Sequence, residues 1–298
     1  MRRVIISGGG TGGHIYPAIT IARAIADIEP TEFLYVGSKI GLENTLIPKE
    51  GLPFVTLDVR GLERKISVRN LVTLGKTAAS LIKAEGIIHK FKPDVVIGTG
   101  GFVCGPVLLA ASLSGVPALI QEQNVIPGVT NTILSRFVNR VALGYEEAAE
   151  RFRRKSILVY TGNPVRKDIL TVTREEGRKK LGLDPHKFTL LVAGGSRGAR
   201  SINTAMIEVH KHFRNDDTIQ ILHVTGDHEY DRVVKQLSGI ECRGRYGKGS
   251  RIIPYLHHMP EALAACDLAV YRAGAVGLAE LTVRGVPSIL ISYPYAAE

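Results

Sequence analysis

The sequence predicts an α/β protein made of two Rossmann-like, doubly wound parallel-sheet domains, read as facing each other across a cleft. Three observations predict it. Short, continuous apolar runs alternate with helical patterns along the 298 residues, as parallel strands covered by helices on both faces require. The rhythm breaks near residue 163 and then restarts. Each half also opens in the same order of strand, glycine-rich turn and helix, with GGGTGG at 8–13 in the first and AGGSRGA at 193–199 in the second. That is an approximate repeat of one α/β unit.

In chain order, strands are expected at 3–7, 32–37, 53–57, 94–98, 117–121, 139–143 and 157–160, with helices at 14–28, 68–90 and 104–114 among them. The segment TGNPVRKD at 161–168 reads as a linker, because Asn163–Pro164 disfavours helix. The domains are therefore assigned to 1–163 and 164–298. Strands then resume at 188–193, 218–224, 251–253, 267–271 and 286–291, with helices at 198–212 and 275–284. Ligands of such folds bind beyond the carboxyl ends of the strands.

Composition narrows the function. Apolar residues make up 45% and charged residues 22%, which suits a packed core and excludes disordered and fibrous classes. The net charge of +10 favours anionic partners without choosing among them. Three cysteines without a CxxC read as reduced thiols with no structural zinc. The start MRRVIISGGG has too short an apolar run for a signal peptide. The stretch 106–120 is too short to span a bilayer.

Several motifs carry chemistry. In GGGTGGH at 8–14 the glycines let backbone approach a ligand, and a following helix N-terminus favours an anion. Gly8, Gly10 and Gly13 also satisfy GxGxxG, but the second strand ends Val36-Gly37-Ser38 with no acidic residue, which weakens a dinucleotide reading. His14, in the first turn, reads either as a general base or as a histidine that packs at a turn. Ser196 and the N–H groups of AGGSRGA could hold a diphosphate. Glu280, in YRAGAVGLAE, reads as a ribose ligand or as a solvated helix residue. GTGGFVCGP at 98–106, with Thr99 after Gly98, and QEQN at 121–124 suit an acceptor pocket at the first sheet's ligand edge. No D-x-D occurs, and His210/His212 and His257-His258 lack companions at ligand spacing, so they read as surface or turn histidines. Residues 49–92 carry a local charge of +5 around Leu71, Leu74, Leu81, Ile82, Ile87 and Ile88. This is either an anionic-membrane contact or an amphipathic helix packed on its sheet.

Six motifs stand in order along the chain: GGGTGGHIYPA at 8–18, GTGGFVCGP at 98–106, EQN at 122–124, GNPVR at 162–166, GGSRGA at 194–199 and RAGA…E at 272–280. Together they resemble the GT-B N-acetylglucosaminyltransferase family that makes lipid II from lipid I in bacterial peptidoglycan synthesis. The resemblance implies an inverting transfer of GlcNAc from UDP-GlcNAc to the 4-hydroxyl of the lipid-linked MurNAc. It implies a donor site of Thr11, Gly12, Gly13, Asn124, Arg166, Ser196, Leu256 and Glu280, with Leu256 facing uracil through its backbone and Glu280 on the ribose. It makes His14 the candidate base and Asn124 a second candidate catalytic residue. It implies no metal and no cofactor, since loop N–H groups and helix dipoles hold the diphosphate. The partners it implies are UDP-GlcNAc, the lipid I acceptor and an anionic membrane surface at the cytoplasmic face, with a role in cell-wall biogenesis, cell shape and division. Another GT-B transferase, a nucleotide-sugar epimerase or dehydrogenase, and a nucleic-acid binder are the competing readings; 6% aromatics speaks against the last. The sequence departs from the family at Ala273, often Ser, and at Val276-Gly277, Leu-Thr in some. The family also continues beyond SYPYAAE, where a last strand would receive its covering helix, so the chain is expected to be C-terminally incomplete.

Overall fold

The computed structural model describes residues 1–59, 68–195, 198–237 and 244–293, with backbone alone for 68–74. The chain divides into two compact units, Met1–Pro164 and Val165–Ala297.

The first unit runs β1 (Arg2–Ser7), α1 (Gly12–Ile28), β2 (Thr31–Ser38), α2 (Glu43–Lys49), β3 (Phe54–Leu57), α3 (Val68–Phe91), β4 (Val95–Gly98), α4 (Cys104–Leu113), β5 (Ala118–Glu122), α5 (Val129–Leu134), β6 (Arg140–Leu143) and β7 (Leu158–Tyr160). Its seven strands lie in the order β3-β2-β1-β4-β5-β6-β7, every neighbouring pair parallel. Strand periodicity of two explains the core. Val4 and Ile6 pack with Ile15, Ala18 and Ile19 of α1, whereas Ile5 packs with Ala84 and Ile88 of α3 and Val107 and Leu108 of α4. Each face of the sheet thus buries its own helices.

The second unit runs α6 (Lys167–Thr171), α7 (Arg174–Leu181), β8 (Phe188–Ala193), α8 (Arg200–His212), β9 (Ile219–Val224), α9 (Asp227–Gln236), β10 (Arg245–Tyr246), β11 (Ser250–Ile253), α10 (Met259–Ala265), β12 (Leu268–Arg272), α11 (Ala275–Arg284) and β13 (Ser288–Ile291). The strand order is β10-β11-β9-β8-β12-β13, parallel except for the β10–β11 pair. Leu190 and Val192 pack on Ile202 and Met206 of α8, and Leu191 and Ala193 on α6, α7, α10 and α11 through Ile169, Leu181, Leu263 and Leu281. Helix α7 starts in a capping box, with Thr173 Oγ1 accepting from Glu176 N at 3.2 Å and Glu176 Oε2 accepting from Thr173 N at 2.8 Å. It stops at Gly182, whose φ of +62° suits glycine.

The twelve strands expected from the sequence agree with the structure to within two residues at each end. Strand β10 is additional; two residues are too few to show a period.

Candidate functional site

In the first unit the chain winds outward from β1 through β2 and β3 on one side, and from β4 to β7 on the other. The carboxyl ends of β1 and β4 therefore form the switch point at which such sheets bind ligands. The two loops interlock there. Gly9 N donates to Gly100 O at 3.2 Å. Gly100 has φ +112°, and a Cβ on it would stand 2.6 Å from His14 Nδ1. A side chain is therefore excluded twice over, by backbone conformation and by the imidazole.

His14 is the third residue of α1 and is half-buried. Its Nδ1 lies 3.0 Å from Thr99 O and 3.1 Å from Gln123 Oε1. Thr99 Oγ1 in turn donates to His14 O at 2.7 Å. The preceding glycines are held from behind by Glu43, fully buried, which accepts from Gly10 N and Ser38 N at 3.0 Å each. The Tyr35 hydroxyl donates to Gly8 O at 2.7 Å, and burial raises its pKa well above the usual phenol value. Cys104, 3.0 Å from Gly100 O, is pushed up to about 11 by burial, against the hydrogen bonds that lower it. It remains a thiol and is no nucleophile at neutral pH.

The loop after β5 is organised by Glu122, a carboxylate 1% exposed. It accepts from Asn124 N at 3.0 Å, Asn124 Nδ2 at 3.3 Å, Gly128 N at 3.2 Å and Asn131 Nδ2 at 2.8 Å. Asn124 thus belongs to an ordered turn at the carboxyl end of the strand, within the same unit as His14. Thr11, Gly12 and Gly13 are the N-cap and first two residues of α1, and Thr11 makes no side-chain cap bond. The first N–H groups of a helix have no partner within it.

In the second unit the equivalent switch point lies between β8 and β12. Ser196 lies outside the described residues, as does Arg197. The end of the loop is fixed at Gly198, φ +75°, where a Cβ would meet Thr225 O at 1.9 Å. Arg166 donates from Nε and an Nη to the same oxygen of Glu280, Oε1, at 3.2 and 3.1 Å. Both side chains are largely buried, 13% and 8% exposed. Burial raises the Glu280 carboxyl, and Arg166 opposes that rise. The structure therefore removes the reading of Glu280 as a solvated helix residue. Leu256, after β11, packs half-buried against the core.

One further sequence expectation is overturned, and one left open between two readings is narrowed. His210 is no surface residue. It is 0% exposed, with Ser250 Oγ 2.9 Å from its Nδ1 and His223 Nδ1 3.0 Å from its Nε2, while His223 Nε2 lies 3.0 Å from Asn203 Oδ1. His212, His257 and His258 are exposed. The described part of the apolar stripe of α3 is core: Ala84 and Ile88 are buried, Leu81, Ile87 and Phe91 pack on them, and Ile82 alone of the apolar residues named at 81–88 is exposed. Lys76 pairs with Asp58 at 3.0 Å, and Lys83 donates to Thr56 O at 2.8 Å. Leu71 and Leu74 lie outside the described side chains.

Thr99, Gln123, Glu43 and Asn163 were not singled out as site residues from the sequence, because they reach the site through contacts that span 85, 109, 33 and 40 residues. Among the described residues no group of three or more His, Cys, Asp or Glu could hold a metal, and no helix is long and apolar enough to cross a membrane.

Comparisons with known proteins bear on both units. Residues 4–143 match the glycosyltransferase family 28 N-terminal domain and residues 189–298 its C-terminal domain. A curated Desulforamulus reducens protein is 50% identical over 299 residues, covering 99% of this chain and 80% of its own length; one from a Thermoanaerobacter species is 48% identical with the same coverage. Both are named UDP-N-acetylglucosamine–N-acetylmuramyl-(pentapeptide) pyrophosphoryl-undecaprenol N-acetylglucosamine transferase. Among solved structures, Acinetobacter baumannii MurG superposes with a TM-score of 0.70 at 25% identity, over 100% of this chain and 80% of that one. A Neisseria meningitidis UDP-GlcNAc 2-epimerase bound to UDP-GlcNAc matches with a TM-score of 0.68 at 13% identity, over 97% and 82%, a likeness of fold alone.

Proposed function

This chain belongs to glycosyltransferase family 28, and from that premise we propose that it transfers N-acetylglucosamine from UDP-GlcNAc to the MurNAc of undecaprenyl-pyrophosphoryl-MurNAc-pentapeptide, the lipid I to lipid II step of peptidoglycan synthesis. The 4-hydroxyl oxygen of MurNAc forms the new bond to C1 of GlcNAc with inversion. The bond from C1 to the diphosphate oxygen breaks, and UDP leaves with its electron pair. The hydroxyl proton passes to His14.

One observation supports His14 as that base: its imidazole sits at the switch point with Nδ1 turned to Thr99 O and Gln123 Oε1, which leaves Nε2 to meet a substrate proton. Asn124, on its ordered turn, is the second candidate to touch the reacting sugars. For donor binding, Thr11, Gly12 and Gly13 are the candidates of the first unit, and Ser196, Leu256, Arg166 and Glu280 those of the second. Helix N-termini and loop N–H groups favour the developing diphosphate charge. Glu280 takes the ribose, held in place by Arg166.

The acceptor's lipid and the anionic membrane surface are assigned to the first unit. The segment 125–137 supports this better than α3 does. It exposes Val125, Ile126, Val129, Ile133 and Phe137, with Arg136 exposed among them. Exposed apolar residues beside a cation suit an interfacial contact. Val129→Asp with Ile133→Asp is expected to reduce co-sedimentation with anionic vesicles; unchanged sedimentation removes this assignment.

Product analysis with UDP-GlcNAc and a short-chain lipid I analogue tests the reaction. The disaccharide lipid and UDP should form together. Conversion of UDP-GlcNAc without acceptor, and no disaccharide, would make the epimerase reading the better one. For the donor site, Glu280→Ala should weaken UDP binding at least tenfold, since a charge-assisted hydrogen bond contributes about 1.5–3 kcal/mol. Equal affinities by calorimetry remove Glu280 from the ribose.

A further inference from the structure

The buried amides around His14 are arranged so that their polarity can be read. Gln123 is 1% exposed. Its Nε2 stands among three oxygens: Thr99 O at 2.8 Å, Gln121 O at 2.9 Å and Gln121 Oε1. Oxygen in that position would face three acceptors with no proton between them, so the amide has one acceptable orientation. That orientation turns Oε1 toward His14. Nδ1 then faces two acceptors, Gln123 Oε1 and Thr99 O, and must carry the ring proton of the neutral imidazole. Beyond Gln123 the same polarity continues. Gln121 Oε1 accepts from Gln123, Gln121 Nε2 donates to Asn163 Oδ1 at 3.2 Å, and Asn163 Nδ2 donates back to Gln123 O at 3.0 Å. Asn163 cannot shift freely, because it packs against Gly144, where a Cβ would stand 2.3 Å from its Oδ1.

We propose that Gln123 is a positioning residue for the transfer, acting with Thr99 O to fix His14 in the tautomer whose Nε2 lone pair faces the acceptor hydroxyl and accepting from Nδ1–H as the ring takes up the proton. It does for this histidine what an orienting third group does for a nucleophile–base pair, with a neutral amide in place of a carboxylate. Gln121 and Asn163 hold the amide in its one useful orientation. This rests on the reading of His14 as the base, and the tests keep the two apart.

The first measurement is ¹⁵N NMR of the ring-labelled, unsubstituted chain above the imidazole pKa. His14 should show a protonated Nδ1 and a pyridine-type Nε2; the opposite tautomer overturns the proposal without any variant. The second is Gln123→Met, which keeps length and removes both amide functions. Its kcat should fall about 10–100-fold, by analogy with the scale for a metal-bound histidine that loses its outer-shell hydrogen-bond partner. KM for UDP-GlcNAc should stay within about twofold, and the His14 ring should shift toward a mixture of tautomers. A residue that merely fills space would leave the ring signals unchanged. If His14→Ala abolishes transfer while Gln123→Met leaves kcat and tautomer as they were, the positioning role fails and the base survives. If His14→Ala transfers normally, the base reading itself has failed.

Discussion

A single histidine in the first unit and a histidine pair in the second use the same side chain to opposite ends. His14 sits half-buried at a sheet's carboxyl end, with one nitrogen bonded and the other turned away from those bonds. His210 and His223 are fully buried on and beneath α8, with all four ring nitrogens bonded in a row from Ser250 to Asn203. Asn203 Nδ2 donates to Thr225 O at 2.9 Å, so its Oδ1 faces His223 as acceptor. His223 then carries its proton on Nε2, His210 carries its own on Nε2, and Ser250 donates to His210 Nδ1. Every polar atom in that row is used, so the row contributes to stability and has nothing left for a substrate. A histidine becomes a reagent when the fold leaves one nitrogen unbonded, and a strut when it bonds both.

Substitution at the two places should separate rate from stability. His14→Ala should lower kcat about 10²–10⁴-fold, the scale of a lost general base, with a urea midpoint close to the parent's. A large midpoint shift with near-normal turnover would reverse the roles drawn above. His223→Ala should do the converse. It strands His210 Nε2–H and Asn203 Oδ1 and leaves a cavity, costing about 3 kcal/mol of unit 2 stability, while kcat per folded molecule stays the same. A change of turnover without a change of midpoint would join the buried pair to the chemistry.

Acid should sharpen the contrast by a smaller amount. Burial pushes His210 down to about 4, and burial with the neighbouring His210 pushes His223 down to about 3, whereas both titrate near 6.5 in an unfolded chain. Above pH 6.5 both states are neutral and nothing is lost. As pH falls through 6.5 the unfolded chain takes up protons first, so stability declines, by about 1 kcal/mol per histidine between pH 6.5 and 5.5. The loss continues toward pH 4. Urea titrations at several pH values should show this slope in the parent and a shallower one in His210→Phe; equal slopes would mean that other groups govern acid sensitivity.

How much of this was legible beforehand depends on how local each signal is. The strands and the glycine turns were legible because apolar runs and turn chemistry act over a few residues. His14 could be singled out for its place beside those glycines. Its partners could not, because Gln123 lies 109 residues away and Thr99 lies 85 away. The burial of His210 was legible in principle, since Ile202, Asn203, Met206, Ile207 and His210 are all buried and repeat at helical spacing on α8. It was misread because polar residue type outweighed position. The stripe of α3 left two readings open, because basic residues between apolar ones suit a membrane surface as well as a packed helix; Leu81, Ala84, Ile87 and Ile88 supply core.

The amide chain through Gln121 and Gln123 ends at Asn163, the penultimate residue of the first unit, and this has a consequence during synthesis. A chain leaves the ribosome from its N-terminus at roughly 5–20 residues per second, and units fold as they emerge. All seven strands of the first sheet have emerged by Tyr160, but Asn163, which holds the Gln121 and Gln123 amides, follows three residues later. The amide chain behind the proposed base is thus completed only as the end of the first unit emerges, before any strand of the second sheet has emerged.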